Sequence, residues 1–99
     1  MADADPTVHC TLTSAVDLRA GLNSAHIEHL DVDVERVIVI YQNAILMVVA
    51  TEGDATAARA FDVELWEPPL HGHDRDGEEV LQMFVAEFTN ALPATRQDD

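Results

Sequence analysis

Residues 35–54 read ERVIVIYQNAILMVVATEGD, the most apolar stretch of an otherwise acidic chain. Two apolar blocks, 37–41 and 44–50, are separated only by Gln42 and Asn43, and the way they are joined decides the fold. Val37, Ile38, Val39 and Ile40 do not alternate with polar residues. A strand that is apolar on both sides is normally covered on both faces, the habit of a central parallel strand with helices above and below. A hairpin would need Gln42-Asn43 or Asn43-Ala44 as a two-residue turn. Such turns demand positive φ, usually with glycine in the second place, and alanine there is strained. The favoured reading is therefore a strand ending near Tyr41, a polar turn at Gln42-Asn43, and a second apolar element from Ala44. The hairpin stands as the alternative, because periodicity separates short apolar runs poorly.

Working outward, VHCTLT (residues 8–13) alternates, with Val8, Cys10 and Leu12 on one side, and reads as a strand. Ser14, with Asp17 three residues on, is a capping-box-like helix start. The spacing of Leu18, Leu22, Ala25 and His29 then predicts a helix over residues 15–30. Gly21 inside it costs up to about 1 kcal/mol against alanine, which points to close packing at that position. TEGDATAARAF (51–61) reads as a loop and a short helix, and DVELW (62–66) as a third strand ended by Pro68 and Pro69. A last helix is capped by Asp76 and carries a stripe of Val80, Leu81, Phe84, Val85, Phe88, Ala91 and Leu92 up to Pro93. Strand–helix alternation of this sort predicts a small α/β fold, a mainly parallel sheet with helices on both faces. A sheet of three or four strands has exposed edges, which an extra strand or a partner subunit would cover.

Ninety-nine residues make one domain, 1–99, with frayed ends expected at 1–7 and 94–99. The 19 acidic residues are set against 5 basic ones, all arginine, for a net charge of −14. Acidity without lysine reads as adaptation to a salt-saturated solvent, in which a Debye length of about 3 Å screens the self-repulsion. Nucleic-acid binding is disfavoured, since its affinity comes from Lys and Arg neutralising phosphates. No signal peptide is evident in MADADPT, and no apolar run is long enough to span a bilayer. The expectation is a soluble, cytoplasmic protein.

The segment LRAGLNSAHIEHLDVDVERVIVIYQNAILMVVATEGD (18–54) resembles the DsrE-like family of small α/β proteins, a likeness that extends over about residues 8–67. It lies in the order of elements: strand and helix, a valine- and carboxylate-rich turn, a buried strand ending at a polar turn, and a further apolar segment. The resemblance implies a flavodoxin-like sheet, a homo-oligomer, and in some members relay of sulfur as a cysteine persulfide. The chain departs from that pattern where the reactive cysteine would stand, at Glu67 or Pro68, and where Gln42-Asn43 replaces a glycine. A member of this kind would be stripped of its chemistry.

Few residues qualify as chemical candidates. Cys10 is the one thiol and falls mid-strand on the apolar side, where a buried thiol behaves as a small hydrophobe. In HGHDRDGEE, His71 and His73 with Asp74 and Asp76 could chelate a transition metal. The calcium-loop template fails there, because Gly72 and Met83 would occupy ligand positions. His26 and His29 would join His9 only if strand and helix faced each other suitably. Tyr41, Gln42, Asn43, Trp66 and Glu67 would line a pocket at the carboxyl ends of the strands, where open α/β sheets bind ligands; the competing role for the aromatics is core or subunit contact. Function is thus expected to be that of a non-catalytic, homo-oligomeric assembly or accessory protein, with a possible protein partner and no cofactor. The alternatives are a sulfur carrier using Cys10 and a metal-binding module through His71 and His73.

Overall fold

The computed structural model of the chain describes residues 7–42, 44–67 and 77–92. Strand β1 (Thr7–Val16) is followed by helix α1 (Leu18–Ser24) and strand β2 (Glu28–Asp31). Strands β3 (Arg36–Tyr41), β4 (Ala44–Asp54) and β5 (Ala57–Glu67) then run on in sequence, and helix α2 (Gly77–Ala91) comes last. The five strands form one sheet in the order β1-β5-β4-β3-β2, and every neighbouring pair is antiparallel. A mainly parallel, flavodoxin-like sheet is therefore not the fold of this chain, and the sheet that the DsrE-like resemblance implied is absent.

The reversal turns on Gln42-Asn43. Tyr41 pairs directly with Ala44, so 37–50 is a hairpin with a two-residue turn, and Gln42 carries the positive φ of 52° that such a turn requires. Glutamine tolerates this region less readily than glycine does, which is why the turn was not legible from residue type. Once the hairpin forms, a ladder of six residue pairs from Arg36↔Val49 to Tyr41↔Ala44 holds it.

Residues 51–61 are the second correction. They hold no helix: β4 runs to Asp54 and β5 begins at Ala57, joined by Ala55-Thr56. The Asp54 carboxylate organises this turn by accepting from the Thr56 N–H, the Thr56 hydroxyl and the Ala57 N–H, the local bonding by which Asp favours turns. Gly53 just before it has φ 89°, and a Cβ there would lie 2.1 Å from the Ala57 carbonyl oxygen. Alanine-rich composition favoured helix, but the carboxylate turn and the register against β4 prevailed.

Helix α1 is shorter than its apolar spacing predicted. Asp17, and not Ser14, caps it by accepting from the Ala20 N–H, while Ser14 lies within β1. At its other end His26 adopts φ 58°, and the Ile27 N–H donates back to the Leu22 carbonyl, the closing bond of a Schellman motif. Histidine in the position glycine usually takes left no sequence signal of a stop. His29 consequently sits on strand β2, where its Nδ1 lies 2.8 Å from the Ile27 carbonyl.

Both helices pack on one face of the sheet. Cys10 and Leu12 of β1, Val37, Val39 and Tyr41 of β3, Leu46 and Val48 of β4, and Val63 and Leu65 of β5 meet Leu18 and Leu22 of α1 and Val80, Leu81, Phe84, Val85 and Phe88 of α2. Apart from Ala91, the stripe read for the last helix is the buried one. Its rings interlock: Phe84 stacks on Phe88, and each also meets a sheet aromatic edge-on, Tyr41 and Phe61 respectively. Gly21 allows α1 to approach α2, since a Cβ there would lie 2.5 Å from Leu92 Cδ2 and 3.2 Å from Phe88. The turn between β4 and β5 ties the layers together, with the Leu18 N–H donating to the Ala55 carbonyl at 2.7 Å and the Ala55 N–H to the Val34 carbonyl at 2.8 Å.

Candidate functional site

The opposite face of the sheet carries no layer of helix or strand among the described residues. Strand alternation places there the residues that the core does not take. The register aligns them in rows: Leu30, Ile38, Met47, Glu64 and Thr7 form one. Glu28, Ile40, Ile45 and Glu67 form the next, and Arg36, Val49, Asp62 and His9 a third. The face is therefore divided. Its β2–β3–β4 part is apolar, and its β5–β1 part is polar and charged.

Exposure within the apolar part is graded. Met47 is shielded by its neighbours to 2%, whereas Ile40 is 38%, Val32 44% and Leu30 62% exposed. Ile38, Ile45 and Val49 are half-buried. Trp66, 50% exposed, stands beside this surface with its indole N–H donating to Glu64 Oε1. A contiguous apolar surface of this kind on a folded chain marks an interaction site more often than isolated exposed residues do.

The charges around it are mostly acidic. Glu28 borders the strip on the β2 side, and Asp62, Glu64 and Glu67 border it on the β5 side. Arg36 is the one cation in these rows, and its Nε and Nη2 both donate to Asp33 Oδ2, at 2.8 and 2.6 Å. The Asp33 carboxyl is held below its ordinary value of 3.8, first by the Arg36 side chain and then by the Glu35 N–H, and the Arg36 guanidinium is held correspondingly high. His9 Nδ1 lies 2.5 Å from Asp62 Oδ1. The guanidinium of Arg36 and the ring of His9 are thus already engaged, and the carboxylates of Glu28, Asp62, Glu64 and Glu67 set the sign of the rim.

The residues singled out from sequence lie elsewhere. Cys10 is fully buried in the core between sheet and helices, where no donor can reach its sulfur without opening the fold. His71, His73, Asp74 and Asp76 fall outside the described residues; among those described, no three His, Cys, Asp or Glu side chains cluster as a metal site would need. His9 and His29 occupy opposite edges of the sheet, about 19 Å apart at four strand spacings. Tyr41, Gln42, Trp66 and Glu67 do reach one end of the sheet, through Tyr41↔Ala44 and Ile45↔Glu67, while Asn43 lies outside the described residues. They do not converge on one pocket: Tyr41 is buried on the helix side, with its hydroxyl donating to Glu87 Oε1 at 2.8 Å, and Trp66 is exposed beside the open face.

The residues that sequence reasoning missed are Leu30, Ile38, Ile40, Ile45 and Val49. For Ile38, Ile40, Ile45 and Val49 the signal lies in the non-alternating runs VIVI and AILMVV, the first of which reads equally as a strand covered on both faces; Leu30 lies outside both runs. The same pattern describes a strand covered once and apolar on its free side. Compared with known protein families, curated proteins and solved structures, the chain matches none. Fold and surface together define a class: a two-layer α+β domain with an open, half-apolar antiparallel sheet face.

Proposed function

We propose that the protein is a non-catalytic interaction module that presents the open face of its sheet to another macromolecule. One observation carries this reading: Leu30, Ile38, Ile40, Ile45 and Val49 form a continuous apolar strip on a face that the chain's own helices leave uncovered. Antiparallel sheets commonly leave one face to solvent, but that face is then polar; here the β2–β3–β4 part is not. Burying such a strip would release about 25 cal/mol for each Å² of apolar surface removed from water, a driving force for association. Cys10, the single thiol, is buried, which bears against its use as a nucleophile. The acidic, lysine-free composition supports work in a salt-rich solvent, where charge acts only at close range and the apolar contact is unscreened.

A photo-reactive phenylalanine analogue placed at Ile40, expressed in the cells that make the protein, tests this. Crosslinking to one discrete partner is expected from position 40 and not from the exposed Gln82 on α2. Equal or absent crosslinking from the two positions would remove the reading.

A further inference from the structure

Among the described residues no helix or strand lies over the strip. Segments 1–6, 68–76 and 93–99, outside the described residues, contain only two large apolar side chains, Met1 and Leu70. A second copy placed face to face is disfavoured by charge. It would bring Glu28, Asp62, Glu64 and Glu67 of one molecule against the same carboxylates of another, while Arg36 and His9 are already engaged by Asp33 and Asp62. Like charges meeting at an interface oppose the wrong partner strongly.

The dimensions point to a narrower occupant. The strip is three strands wide, about 10 Å between the axes of β2 and β4, which matches the diameter of about 10–12 Å of one α-helix with its side chains. From Ile40/Ile45 to Val49 it is about 13 Å long, the rise of about nine helical residues. A second sheet would require the whole face to be apolar, yet the part formed by β5 and β1 offers His9, Thr11, Asp62 and Glu64. Carboxylates border the strip on both long sides, and Trp66 stands beside it with an exposed ring able to receive a cation on its face.

Resting on the interaction reading above, we infer that the open face receives one amphipathic helix of a partner protein, whose apolar stripe is flanked on both sides by arginine or lysine. The stripe lies along Ile38, Ile40, Ile45 and Val49, and the basic flanks meet Glu28 on one side and Asp62, Glu64 and Glu67 on the other. The helix adds a third layer to the domain on the side opposite α1 and α2.

The test uses two synthetic helical peptides with the same length and leucine stripe, one flanked by arginines and the other by glutamates. Each is titrated into the full chain below molar potassium chloride, and Trp66 emission and the amide shifts of residues 38, 40, 45 and 49 are followed. The arginine peptide is expected to bind at least about tenfold tighter than the glutamate one, the factor that a few exposed ion pairs supply together, and the gap should narrow in molar salt. Ile40→Glu should weaken the arginine peptide; unspecific attraction to an acidic surface would instead strengthen with the added charge. Equal affinities, shifts confined to the helix side, or tighter binding to Ile40→Glu overturn the inference. A peptide-free dimer that buries these same residues overturns the basic-helix occupant and leaves the interaction module standing. A monomer that binds neither peptide overturns the basic-helix occupant, and the crosslink from position 40 then decides the interaction reading by itself.

Discussion

Gly53→Ala should cripple the fold through one turn. The native backbone has φ 89° at this position, where an L-residue costs roughly 1–2 kcal/mol relative to glycine. A Cβ would also sit 2.1 Å from the Ala57 carbonyl oxygen and 3.5 Å from the Ala58 Cα. Because the obstacle is backbone, no side-chain rotation relieves it, and the β4–β5 ladder must separate near its turn. Losing one or two ladder bonds adds about 1 kcal/mol each, for a total of roughly 3 kcal/mol. A chain of this length has only about 5–15 kcal/mol to lose. The damage should also spread, because Ala55 in this turn bonds both Leu18 at the start of α1 and Val34 before β3. Urea unfolding in molar potassium chloride, followed by far-ultraviolet circular dichroism, measures it, with the exposed Thr51→Ala as reference. A Gly53→Ala chain within about 1 kcal/mol of the native one would refute the turn geometry on which the sheet order rests, since such a small loss is typical of unconstrained surface sites.

The other expectations are shorter. Cys10, fully buried, should react with a thiol reagent only as fast as the protein unfolds; immediate stoichiometric labelling would revive the sulfur-carrier reading. Tyr41→Phe keeps the edge-on contact with Phe84 but loses the hydroxyl's bond to Glu87, and should cost about 1 kcal/mol in urea unfolding; an unchanged midpoint would show that the bond contributes nothing. The Asp54 carboxyl lies below its ordinary value of 3.8, first through the Thr56 hydroxyl and then the Thr56 N–H. Its contribution is therefore present above the unfolded-state value, near 3.9, and is lost as pH falls through the lowered folded value. Asp54→Asn should then be less stable than the native chain at neutral pH, with the gap closing in acid; a gap independent of pH would contradict this assignment.

Local patterns were legible where one principle acted unopposed. The stripe of Val80, Leu81, Phe84, Val85, Phe88 and Leu92 needed only helical periodicity and a core to face. Likewise the alternation of Val8, Cys10 and Leu12 showed a strand with one buried side, and Gly21 inside an apolar helix signalled close approach, here to Leu92 and Phe88. Misreading set in where backbone conformation was carried by residues that seldom carry it. Gln42 and His26 both adopt left-handed φ, the first making a hairpin and the second ending a helix without glycine. Neither is visible to residue propensity: the β3–β4 ladder holds the first, and the bond from the Ile27 N–H to the Leu22 carbonyl closes the second.

By itself the sequence determined which residues are apolar, that the chain is acidic and free of lysine, and that Cys10 belongs to a strand's buried side. Only the tertiary structure decided which apolar residues are covered. Two strand faces of equal hydrophobicity look identical in one dimension. Val37 and Val39 are buried because α1 and α2 both return to their side, whereas Ile38 and Ile40 point to the side that no described element covers. The turn at Gln42 settled the direction of β4 against β3, while α1, between β1 and β2, and α2, after β5, both lie on the same side of the sheet.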